Sequence, residues 1–223
     1  VNDPVDQLTS VNDPVDQLTS ATLRTTDPTP VVLKRHGYAY DLAGNRSAEQ
    51  VDDVVTSASY DGMNRLSSKQ PGGALRFQGS LSEAATVTVG GKPAAVTAAN
   101  KFEGAAPVTS GVSNVVVAAT DSSGNTRTNT YQITQTGAST SFTYDANGNL
   151  TGDGTKTYEW DAANRLVRVL SGATELARFV YDGFGRRVQK IAGGVTRTYI
   201  YDGQDIVEER ISSGGTLKYV HGA

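Results

Sequence analysis

Residues 145 to 149 read Asp-Ala-Asn-Gly-Asn, and side-chain oxygens at alternate positions are the donor set of an oxygen-ligand metal loop. The pattern fails where a calcium loop needs it most. Counting Asp145 as the first position, glycine falls at the fourth rather than the sixth, and Lys156 occupies the twelfth, where a bidentate Glu belongs. Asp153 can supply one more oxygen from the next turn, which keeps a weak calcium reading alive beside that of a well-made turn. The expectation is no resident metal and no cofactor.

Other chemistry is scarcer. With 0 cysteines there is no thiolate nucleophile, no thiolate zinc site and no disulfide framework. The 2 histidines, His36 and His221, stand near opposite ends of the chain, and no G-x-S-x-G or H-E-x-x-H accompanies them. They read as surface or hairpin residues, and the chain is expected not to be an enzyme. Trp160 and Tyr158 have the flat amphipathic rings that stack on sugars, but they fit equally well into a cross-strand aromatic ladder.

The elements that must position these residues repeat. An aromatic residue precedes Asp at Tyr40-Asp41, Tyr60-Asp61, Tyr144-Asp145, Trp160-Asp161, Tyr181-Asp182 and Tyr201-Asp202, which takes up 5 of the 10 tyrosines. Two residues earlier stand Tyr38, Ala58, Phe142, Tyr158, Phe179 and Tyr199, and in a strand residues two apart leave the same face. Three residues after each Asp come Gly44, Asn64, Gly148, Asn164, Gly185 and Asp205, types that tolerate a left-handed backbone. Each unit therefore reads as strand, Asp-initiated turn, strand, with the carboxylate accepting main-chain N–H groups ahead of it. Arg65, Arg165 and Arg186, four after their Asp, add an ion pair worth at most about 1 kcal/mol if exposed.

Successive aromatics stand 16 to 21 residues apart, except that 84 residues separate Tyr60 from Tyr144, so something is inserted. Residues 71 to 137 carry their own strand pattern, with a hairpin turn at Gly90-Gly91 and another turn at Asp121 to Gly124. That predicts a small sandwich. The decamer VNDPVDQLTS fills residues 1 to 10 and again 11 to 20, with Pro4 and Pro14 limiting it to edge strand or linker. The net charge of -3 and the lack of any Lys/Arg run disfavour a nucleic-acid partner. No window reaches the roughly 20 apolar residues of a membrane span, and the N-terminus lacks a secretory pattern, so any export signal is expected outside this chain.

The units FTYDANGNL, YEWDAANRLV, FVYDGFGRRV and YIYDGQDIVEE resemble YD repeats of the bacterial RHS and teneurin-like class, over about residues 36 to 66 and 139 to 223. The insert resembles bacterial immunoglobulin-like modules, and YVHGA resembles the last repeat before an RHS core region; that core and a toxin segment are not seen here. Autoproteolytic release, which belongs to that region, is not assigned. The resemblance implies an all-β strip of antiparallel hairpins, part of a shell around a C-terminal toxin or effector, in a secreted or cell-surface setting. Further YD repeats of the same or another chain are the implied partners. The expected organisation is 1–30 duplicated segment and linker, 31–70 YD repeats, 71–137 Ig-like sandwich and 138–223 YD repeats. Two alternatives stay open: a carbohydrate-binding adhesion module, and a self-assembling filament subunit that exchanges its N-terminal decamer.

Overall fold

A computed structural model describes residues 7 to 219. His221 and the first six residues of the duplicated segment lie outside the described residues. The chain is all-β and divides into two compact units, residues 1–140 and 141–223.

The first unit opens as a meander of antiparallel hairpins: β1 (Gln7–Asn12), β2 (Leu18–Arg24), β3 (Val32–Tyr40), β4 (Arg46–Val51), β5 (Val54–Tyr60) and β6 (Leu66–Ser80). It continues with β7 (Ala85–Val89), β8 (Lys92–Pro93), β9 (Ala95–Val96), β10 (Lys101–Thr109), β11 (Gly111–Asp121) and β12 (Thr126–Gln135). The strands fall into two sheets, one ordered β1-β2-β3-β4-β5-β6-β10-β9 and the other β12-β11-β7-β8. The division expected at residue 71 lies inside β6. Its first part pairs with β5, while Gly72 to Ser80 pair with β10. Gly72 and Gly73 make that handover, with φ of +95° and +140°; a Cβ on Gly72 would sit 2.6 Å from the Val108 carbonyl oxygen.

Between the two sheets lies a true core. Val55, Leu75, Val87, Val89, Ala106, Val108, Val115, Val117 and Ile133 are buried against one another, and burying a side chain of this size contributes about 1.5–3 kcal/mol. One polar side chain joins them. Gln135, 1% exposed, accepts a hydrogen bond from Val55 N at 2.9 Å and donates to the Asp53 carbonyl at 2.7 Å. Its amide takes the place of a neighbouring strand's peptide group, so the buried dipole is satisfied.

β13 (Thr140–Ser141) marks the junction between the units. The second unit is one sheet of nine strands in chain order: β14 (Thr143–Tyr144), β15 (Leu150–Gly152), β16 (Thr157–Trp160), β17 (Leu166–Ser171), β18 (Thr174–Tyr181), β19 (Arg187–Ala192), β20 (Val195–Asp202), β21 (Asp205–Ile211) and β22 (Thr216–Lys218). Among its described residues no apolar side chain is fully buried. On β16 and β18 half-buried aromatics alternate with exposed residues such as Glu159 and Val180, so the aromatic members share a face.

In the duplicated segment, expected at best as edge strand or linker, β1 is an edge strand and β2 lies inside the sheet. From Gln7 onward the segment forms the β1–β2 hairpin around Asp13. The reason is a repeat turn hidden by Asn12, which stands where the other units carry an aromatic.

Candidate functional site

The recurring feature is one turn built at five of the six aromatic-Asp units, and once more at Asp121, which no aromatic precedes. Oδ1 of Asp41, Asp61, Asp145, Asp161 and Asp182 accepts main-chain N–H bonds of 2.9–3.0 Å from the second and fourth residues after it. The third residue takes positive φ each time: +83° at Gly44, +58° at Asn64, +87° at Gly148, +58° at Asn164 and +82° at Gly185. Oδ2 then takes a side-chain donor from the fourth residue, Nδ2 of Asn45 and Asn149 or Nε of Arg65, Arg165 and Arg186, at 2.7–3.0 Å. Asp13 builds the same main-chain cage with Val15 and Gln17. Pro14 fits its first position because that N–H is not needed and its φ is already set.

These bonds hold the carboxyls below the ordinary range. Asn45 does so first for Asp41, the Arg65 amide for Asp61, Asn149 for Asp145 and the Arg165 amide for Asp161. At Asp182 desolvation pulls upward but is outweighed by Arg186.

Tyr201-Asp202 closes differently. Asp202 pairs with Asp205 across the two-residue turn Gly203-Gln204, with φ +58° at Gly203. Ile206 stands opposite Tyr201, one position earlier than Arg187 stands opposite Tyr181.

A bulge accompanies each turn. Tyr40 pairs with Arg46 and Ala39 with Ala48, leaving Ser47 extra; Ser67, Thr151, Val167 and Val188 are extra in the same way.

The aromatics do more than pack. Tyr40 Oη donates to the Leu18 carbonyl at 2.9 Å, Tyr60 to Arg46 at 3.1 Å, Trp160 Nε1 to Leu150 at 2.7 Å, Tyr181 to Leu166 at 2.9 Å and Tyr201 to Arg187 at 3.0 Å. In every case the acceptor is the residue five after the Asp of the preceding unit. The arginines repeat this link. Arg165 lies 4.8 Å over the Tyr181 ring and donates to the Asp182 carbonyl, and Arg186 lies 4.8 Å over Tyr201 and donates to Gly203. Asn149 Nδ2 reaches Asn164 Oδ1 at 2.8 Å, tying those two turns together.

The metal reading of Asp145 to Asn149 loses its one charged ligand. Both Asp145 oxygens are spent within the turn, and Asn147 Nδ2 donates to Asn164 Oδ1 at 3.0 Å. Asp153 is engaged in its own turn and accepts from Tyr158 Oη at 2.7 Å; that bond lowers the Asp153 pKa and raises that of Tyr158. Among the described residues no group of three or more His, Cys, Asp or Glu is placed to hold a metal ion. Tyr158 and Trp160 lie half-buried on β16 with their polar ring atoms already bonded to Asp153 and to the Leu150 carbonyl. His36 stacks on Tyr38 at 6.3 Å, beside a cavity of about 340 Å³ that Arg35, Asp52 and Gln78 also line. No described helix is long and apolar enough to cross a membrane.

No family model matches the chain. Over 87 residues it is 37% identical to the tRNA nuclease WapA of Bacillus subtilis (strain 168), a match that covers 37% of this chain and 4% of that protein. Over 68 residues it is 41% identical to the tRNA3(Ser)-specific nuclease WapA of Bacillus spizizenii, covering 30% and 3%. About a third of the chain is thus similar in sequence to a stretch of these WapA proteins. The chain spans a few per cent of the length of these curated relatives. Chains in the crystal structures of TcdB2-TccC3-Cdc42 and TcdB2-TccC3-TEV align with 94% and 91% of it at 17% identity, covering 12% of each, with TM-scores of 0.29 and 0.26.

Proposed function

We propose that the chain is a structural segment of an RHS/YD-repeat wall which, within a longer exported protein, encloses or presents a C-terminal toxin or effector. The observation that carries this reading is the aromatic bond to the preceding unit's carbonyl, which docks each unit on the one before it. Its partners are then further repeat units, and residues 71–137 form an Ig-like side domain. In this reading the segment has no catalytic role, and the nuclease activity named for its relatives belongs to other parts of those proteins.

The test is limited proteolysis of the full-length parent protein carrying Asp161→Ala and Asp182→Ala. Opening two turns should speed release of the C-terminal segment. Unchanged release from a folded variant rejects enclosure. A glycan-binding role draws less support, because the polar atoms of Tyr158 and Trp160 are spent inside the sheet.

A further inference from the structure

The outermost strand of a sheet carries unpaired main-chain donors and acceptors and is a template for another strand. Most edges among the described residues are blunt. β9 and β14 have two residues, β8 has two and ends in Pro93, β22 has three, and β1 is bulged between Val11 and Asn12.

β12 is the exception. It is the outer strand of its sheet, runs ten residues, and pairs with β11 without a register shift. It contains no proline, Arg127 is its single charge, and every residue from Thr126 to Gln132 is exposed.

We propose that the β12 edge docks a second copy of this chain, the two β12 strands pairing antiparallel across a two-fold axis centred on Asn129. The sequence is self-complementary in that register. Thr128 meets Thr130, Thr126 meets Gln132, Arg127 meets the Tyr131 ring and Asn129 meets itself, so no like charges face each other. The register uses the whole exposed stretch and stops short of Ile133 and Gln135, which are committed to the core. A one-residue slip would set the Thr face of one copy against the Arg/Asn/Tyr face of the other. Moving the centre by two residues either shortens the pairing or draws in Ile133. A two-fold axis also makes the contact closed, giving a dimer rather than a fibre.

The test uses the full chain in sedimentation equilibrium. The unmodified chain should dimerise. Thr128→Lys with Thr130→Lys, and separately Thr128→Glu with Thr130→Glu, should each weaken dimerisation at least tenfold, and an equimolar mixture of the two should restore it. Because the chain contains 0 cysteines, Asn129→Cys gives an independent reading: oxidation should link it into dimers, while Thr86→Cys, exposed on an inner strand of the same sheet, should stay monomeric. A monomeric parent chain, association that persists in both charged variants, or equal cross-linking at residues 86 and 129 overturns the proposal. Circular dichroism checks that the charged variants fold, and if they do not, the cysteine pair decides.

Discussion

The two units solve the same problem by different means. In the first, two sheets close over Val55, Leu75, Val89 and their neighbours, and apolar burial holds the structure. In the second, one sheet stands without a fully buried apolar side chain among its described residues; caged carboxylates close the turns at Asp145, Asp161 and Asp182, and Trp160, Tyr181 and Tyr201 each donate to the preceding unit. A sandwich concentrates its stability at a few residues. A repeat sheet distributes it along many modest bonds, so damage to one unit should stay near that unit.

The single Trp, Trp160, lies in the second unit, so its fluorescence reports that unit while circular dichroism reports both. The largest effect should come from Leu75→Ala, where a side chain 1% exposed leaves a cavity. A loss of about 2–5 kcal/mol in denaturant unfolding of the first unit is expected, with the Trp160 transition unmoved. A shift in both transitions would collapse the distinction.

Gln135→Leu should follow. It leaves the Val55 N–H and the Asp53 carbonyl unpaired and costs about 1–3 kcal/mol, again in the first unit alone. Tyr181→Phe keeps the ring and removes its bond to Leu166, so a loss of about 0.5–1.5 kcal/mol should appear in the Trp160 transition. If removing that hydroxyl costs nothing, the rings act by packing alone.

Acid sharpens the contrast further. Asp145, Asp161 and Asp182 titrate lower in the folded chain than in an unfolded one, and Glu175 is held down to about 2 by Arg178 and Arg168. Their stabilisation is full above the unfolded carboxyl pKa of about 4 and drains away as pH falls toward the folded values. The midpoint of the Trp160 transition should therefore decline below about pH 4 and hold steady from pH 5 to 7. The smallest effect belongs to Val180→Thr, on the exposed face of β18, where the Trp160 transition should move by no more than about 0.5 kcal/mol.

Much of the repeat was legible in the sequence because it depends on side-chain type. Asp for the cage, Gly or Asn at the left-handed position and an aromatic before the acid all left a recurring mark. Three things did not. The link between units ends on a main-chain carbonyl, and Leu18, Arg46, Leu150, Leu166 and Arg187 share no chemistry that reveals it. The bulged residue is Ser, Thr or Val, and its type does not matter because only the count shifts. The turn at Asp13 escaped because Asn12 replaces the ring, although its D-x-x-D spacing and Pro14 were there to be read. The candidate ligand set at residues 145 to 149 misled for the opposite reason: the side chains are right for a cation, but both carboxylate oxygens of Asp145 are bonded within the turn.

Because the socket for each ring is a peptide oxygen, present whatever the residue, neighbouring units need not coevolve at that contact. Removing residues 161 to 181 would join Trp160 to Asp182 and present the same ring-then-acid order to the same kind of acceptor. Whole hairpins thus become interchangeable parts, and a gene encoding such a sheet can gain, lose or shuffle units by recombination while the wall keeps its register.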